Sequence, residues 1–232
     1  MADQNVPVTR TTFTLRDYCR AAIRAWKPLC GSWPSKASAG CLWAQYALET
    51  GKGAFCWNNN IGNVKWSAGH DYMMLNGTWE MVAGKRVVFT PPHRATWFNA
   101  YRSLDDAMYE HLRLLKERRY ATSWPAIEDG NPEEFARQLR LRGYYTASLV
   151  DYARGLRAHF DAFMRGTSFE DATADLEASM NAETLPELPV LNTPLPLVNT
   201  PIMEDYPHTG LRLVESTASQ PTRYPKPDPE AA

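Results

Sequence analysis

The chain of 232 residues lacks any run of eighteen consecutive apolar residues, which excludes a helical membrane span. Cysteine is scarce. Cys19, Cys30, Cys41 and Cys56 all fall in the N-terminal quarter, with no CxxC pair and no His at metal-ligand spacing. That pattern excludes the common zinc motifs, points to no metal or cofactor, and leaves free, partly buried thiols as the expectation. The start, Met1 to Pro7, has neither a basic region nor an apolar stretch, so no secretory signal is read there and synthesis in a reducing cytoplasm is expected. The formal net charge is only −1.

That near-zero total conceals two unlike parts. Residues 1–166 carry 22 Lys+Arg against 15 Asp+Glu, giving +7, whereas residues 167–232 carry 3 against 11, giving −8; the two add to the −1 of the whole. A basic body suits an anionic polymer, either nucleic acid or a cell wall with its peptide carboxylates. No nucleic-acid recognition motif is present, and the arginines from Arg102 to Arg165 are spread along several helices, so nucleic acid is not an expected partner.

The 44% hydrophobic and 12% aromatic content suffices for a packed core. A polar arm runs to about Arg10, and a helix is predicted from Leu15 to about Trp26, with Thr14 and Asp17 as its capping box and Pro28 as a breaker. A second helix is predicted from about Ser38. Between about 57 and 97 the pattern changes to short runs with turn signals at Asn76-Gly77 and Gly84, which reads as a hairpin or small antiparallel sheet. Helices resume behind Ser103, Asn131-Pro132 and Ser148, each with an N-capping side chain. From Thr167 the composition shifts again. Ser168 and Asp171 suggest a short acidic helix to about Thr184, and ten of the 17 prolines lie between Pro186 and Pro229. That tail favours an extended conformation without a core of its own, and its spaced Leu, Val and Ile residues suit docking to a protein partner over residues 185–232.

The second helix carries the most chemistry. Leu42, Trp43, Tyr46 and Ala47 recur at helical spacing, so one packed face is expected, ending at Gly51 or Gly53 with Glu49 in the last turn. A carboxyl among Trp, Tyr and Leu side chains loses hydration in its charged form and tends to stay protonated, as a general acid requires. By position alone the same residue also reads as an ordinary solvated Glu at a helix end.

The motif around it resembles a known one. Ala47-Leu-Glu-Thr-Gly-x-Gly53, followed by Asn59-Asn-x-Gly-Asn-Val-Lys65, resembles the signature of the glucosaminidase family that includes flagellar and autolysin peptidoglycan hydrolases. The likeness continues through Trp97-Phe-Asn-Ala-Tyr-Arg-Ser103, Asp105 to Leu115, Arg119-Tyr120, Phe135 to Leu139, Gly143-Tyr144 and Tyr152-Ala153, covering about residues 38–160 in the family's order. Thr50 and Lys52 stand where many relatives have Ser and Trp, and Ser67 to Ala95 matches loosely.

The resemblance implies a mainly α, α+β fold, a lysozyme-like helical domain with an inserted β-lobe at about 57–97, here assigned to residues 1–166; the composition shift sets off residues 167–232 as an acidic short helix and Pro-rich tail. The resemblance implies Glu49 as catalytic acid. It also places Glu80, preferred over Asp71, where the family carries its second acid, unless the substrate's own N-acetyl oxygen does that work. Because sugar clefts set aromatic faces and polar side chains against the substrate, Trp66, Tyr120 and Tyr144 with Asn60 and Lys65 are the expected substrate contacts; Tyr120 and Tyr144 stand at family positions, and any of the aromatics is also readable as core. The implied activity is that of an endo-β-N-acetylglucosaminidase cutting peptidoglycan glycan strands at the cell wall; the absence of a readable signal and the docking-like tail also permit a phage lysin or virion-borne enzyme. A muramidase or lytic transglycosylase of the same fold, and a catalytically silent wall-binding or virion module, are the rival readings.

Overall fold

The computed structural model describes residues 3–82, 85–117, 119–145 and 147–182, with the side chains of residues 80–82 and 181–182 also outside the description. The Pro-rich tail and its docking role therefore lie outside the described residues. Among those residues the fold is mainly α, with helices α1 (Leu15–Cys30), α2 (Lys36–Thr50), α3 (Leu104–Lys116), α4 (Trp124–Glu128), α5 (Pro132–Leu141), α6 (Leu149–Arg165) and α7 (Ser168–Ala182). Four short strands, β1 (Tyr72–Met74), β2 (Thr78–Val82), β3 (Lys85–Phe89) and β4 (Trp97–Asn99), form the inserted lobe.

The expected caps are formed. Thr14 and Asp17 make the reciprocal box that starts α1, while the side chains of Ser103, Asn131 and Ser148 accept from the backbone three residues on. Two boundaries differ. The first helix does not stop at Trp26: Pro28 sits in its last turn, and it ends where Gly31 takes φ +75°. For α7, Thr167 rather than Ser168 precedes the helix, with its hydroxyl 3.2 Å from the Asp171 carboxylate.

More consequential is α2. Instead of one packed face, it is buried most of the way round, because α1, α4, α5, α6 and α7 all contact it. Gly40 permits the closest of these approaches. A Cβ built there would lie 3.1 Å from the rings of Phe160 and Phe163, so α6 lies directly over that face of α2. The sequence of α2 is accordingly apolar on every side, including the turn that ends in Glu49.

The lobe differs from a simple meander. Strands β2 and β3 form the expected antiparallel hairpin, but β1 does not pair with β2 across Asn76-Gly77; it pairs with β4, setting Met73 opposite Phe98. Met73, Leu75 and Phe98 bury one another there, and that small core outweighs the local turn signal. The N-terminal arm closes the lobe's flank. Asn5 bridges Tyr72, and Asn58 holds Thr9 and Pro7 with both ends of its amide.

Beyond residue 166 the described structure continues into α7. Helix α7 lies on α1, with Ala172 fully buried near Cys19 and Ile23 and Asp175 bridged to Arg16 and Arg20. All four cysteines are free, and burial pushes Cys19 and Cys41 up to about 12 and Cys56 up to about 11, so these three are unreactive thiols.

Candidate active site

Gly51, at φ +58°, turns the chain off α2, and its N–H satisfies the carbonyl of Ala47. Thr50 tightens the same turn: its hydroxyl donates to Tyr46 O at 2.6 Å and accepts from Gly53 N at 3.0 Å. Glu49 is thereby fixed one residue before a left-handed turn, at 1% exposure. Its carboxylate oxygen Oε1 accepts a hydrogen bond from the Tyr152 hydroxyl of α6 at 2.8 Å.

Facing this turn is the loop 57–66. Asn58, Asn59 and Asn63 all have positive φ, which Asn tolerates better than other residues with a Cβ. Their side chains hold the loop together. The amide of Asn63 donates to the main-chain carbonyl of Glu49 at 2.9 Å, and that of Asn59 to Tyr101 O at 3.0 Å. Asn60, implied as a substrate contact, is fully buried. Its Nδ2 donates to Val64 O and Asn99 O, both at 2.9 Å, and its Oδ1 accepts from Val64 N at 2.8 Å, so the whole amide is spent on the loop.

Gly62 sits at the point of closest approach. A Cβ there would lie 2.6 Å from the His111 ring, so only glycine lets the loop rest on that imidazole. His111 Nε2 lies 3.0 Å from Oε1 of Gln45, a buried residue one helical turn before Glu49. Burial pushes His111 down to about 4, which keeps it neutral.

Tyr144 and Tyr120 close the wall behind Glu49. The Tyr144 hydroxyl donates to Gly62 O at 3.0 Å, and the two rings meet edge to face with centroids 5.0 Å apart. Both are buried, so in this arrangement they support the site instead of offering open faces to a sugar. Burial raises the hydroxyls of Tyr144 and Tyr152 well above the ordinary tyrosine value, and the charge of Glu49 adds to it; for Tyr120 the result is about 12. All three stay protonated and able to donate near neutral pH.

Lys65 and Trp66 face the β-lobe. The Lys65 ammonium lies 4.1 Å from the Phe98 ring centre and bonds Ala95 O, while Trp66 donates to His70 O at 2.9 Å under the Arg94 guanidinium. Trp66 is half-buried and stands edge-on to Tyr72 and Trp97, the one implied aromatic contact that keeps an accessible part. The backbone of Glu80 pairs with Val87 in the hairpin, and its side chain lies outside the described residues. Asp71 is occupied elsewhere, accepting from Gln4 N at 3.2 Å. Among the described residues, no group of His, Cys, Asp and Glu could hold a metal ion, and no helix is long and apolar enough to cross a membrane.

Residues 35–165 match the family described as glucosaminidase, mannosyl-glycoprotein endo-beta-N-acetylglucosaminidase. The chain belongs to the glucosaminidase family. Neither a curated protein nor a solved structure matches it. Membership spans every helix and strand from the start of α2 to the end of α6 and supports a glycoside hydrolase acting on peptidoglycan.

Tyr152 stands in the Tyr152-Ala153 pair of the resemblance, but nothing in the sequence tied its hydroxyl to Glu49. In sequence it is one of the apolar positions of α6, with Leu156, Phe160 and Phe163, and only the fold brings its hydroxyl to Glu49. The tie from Asn63 and the Gln45–His111 pair were equally out of reach, although Asn63 lies within the matched motif.

Proposed function

We propose that this glucosaminidase-family chain is an endo-β-N-acetylglucosaminidase that cleaves the β-1,4 bond after N-acetylglucosamine in peptidoglycan glycan strands, with Glu49 as general acid. The observation that carries the reading is the burial of Glu49 at the left-handed end of α2 with the Tyr152 hydroxyl 2.8 Å away. Burial disfavours the charged carboxylate, whereas the Tyr152 bond orients the group and tempers that effect. A carboxyl so placed holds a proton for the leaving sugar oxygen.

Glu80 acts as the opposing acid from the hairpin. Asn60 and Tyr144 serve by shaping the loop, Tyr120 by backing Tyr144, and Trp66 with Lys65 by forming the lobe side of the cleft. The substrate is the bacterial cell wall.

Glu49→Gln tests the acid. Gln keeps the shape and still accepts from Tyr152, so the fold survives while the transferable proton is gone. Clearing of purified wall is expected to fall about a hundredfold or more, in keeping with general-acid contributions. Unchanged clearing would remove Glu49 from the mechanism.

A further inference from the structure

Most arginines of the helical body are neutralised by a neighbouring acid. Arg137 pairs with Glu134, Arg154 with Asp151, Arg157 with Glu133 and Asp161, and Arg113 with Glu110 and Glu117. Arg119 and Arg142 do not follow this pattern: both are exposed, and among the described residues neither has a carboxylate within ion-pair distance. They are joined to each other. Arg119 Nε donates to Arg142 O at 3.1 Å, and Arg142 Nε donates to Thr122 Oγ1 at 3.3 Å. These bonds help close the C-terminal end of α5, but they engage only the Nε–H of each guanidinium and leave the paired Nη donors for a ligand.

Their position relates them to Glu49. Arg119 immediately precedes Tyr120, and Arg142 stands two residues before Tyr144, whose ring meets that of Tyr120 and whose hydroxyl holds Gly62. The Arg119 guanidinium lies 6.0 Å from the centre of the Tyr120 ring. We propose that Arg119 and Arg142 form a cationic rim beside the Glu49 site that receives carboxylates of the peptides attached to the wall glycan. In the intact wall the lactyl carboxyl of the muramic sugar is tied up in the amide that carries the peptide, so the free carboxylates of the strand lie on the peptides, and a planar guanidinium matches a carboxylate in two-pronged geometry. This inference rests on the wall-substrate reading and adds to it which part of the wall polymer is recognised.

Binding tests it without requiring hydrolysis. The full chain carrying Glu49→Gln is sedimented with purified wall sacculi and with the same sacculi whose peptide carboxylates have been converted to amides by carbodiimide coupling to methylamine, alone and with Arg142→Glu added. Reversing one exposed charge is expected to weaken binding to intact sacculi roughly tenfold at low salt, with the difference shrinking as salt rises. Binding to the amidated sacculi should fall much less, and Arg142→Lys, which keeps the charge but not the fork, should recover only part of the affinity for intact sacculi. Arg142→Gln is the second variant should charge reversal lower the melting temperature. Equal loss on both materials would assign Arg142 to capping α5 and overturn the rim, as would no loss on intact sacculi. Failure of the Glu49→Gln parent to bind either material would instead overturn the wall-substrate reading and the rim with it.

Discussion

Tyr152 and Glu49 face each other across the seam between α6 and α2, and a hydroxyl donating to a carboxyl favours its charged form. Removing that donor with Tyr152→Phe takes away the hydroxyl that orients the carboxyl, so kcat on purified wall should fall while KM changes little. An unchanged kcat would mean that the bond does not bear on the acid. His111 makes a separate prediction about stability. Buried beside Gln45 it titrates at about 4, whereas an exposed His titrates near 6.5. Between those values the unfolded chain takes up a proton that the folded chain refuses. Stability therefore falls as pH drops through that window, by about 3 kcal/mol when it has been crossed. The melting temperature of His111→Gln should decline less from about pH 7 to about pH 4.5 than that of the native chain. Parallel declines would contradict the assignment.

The loop 57–66 acts as one piece, since Asn63 ties it to the end of α2, Tyr144 to the α5–α6 connection, and Gly62 to α3 through His111. Gly62→Ala forces a methyl group against the His111 ring at 2.6 Å, so either the loop or the ring must move. A loss of about 1–3 kcal/mol in chemical denaturation is expected, with a larger proportional loss of activity because the displaced loop releases its hold on Glu49. Full activity in this variant would show that the loop does not position the acid. The elements themselves were largely legible, because Thr14, Ser103, Asn131 and Ser148 announce their helices by local chemistry. The β1–β4 pairing was not. It joins residues well apart in sequence through the burial of Met73 and Phe98, and no nearby turn encodes that choice. At the site, Glu49 was legible because its motif is local and its helix apolar. The tie from Tyr152 was not, because a Tyr at core spacing gives no sign that its hydroxyl has a partner. The burial of Tyr120 and Tyr144 was hidden for the same reason: aromatic residues at a site and in a core look alike in sequence.

At the scale of the molecule, the helices around α2 form a frame that holds one carboxyl in place while the β-lobe and the 57–66 loop build the facing side. Outside the helices, residues 1–166 hold most of their basic surplus, and the exposed Arg119 and Arg142 place part of it beside Tyr120 and Tyr144. The frame includes α7, which packs on α1. Several enzymes of related architecture act on the same glycan, and the bond they break is recorded in the ends they leave. Mass spectrometry of purified peptidoglycan digested by the full chain is therefore the most direct test. The account predicts fragments with reducing N-acetylglucosamine ends, absent from digests made with Glu49→Gln; reducing or anhydro muramic acid ends, or the same fragments from Glu49→Gln, would contradict it.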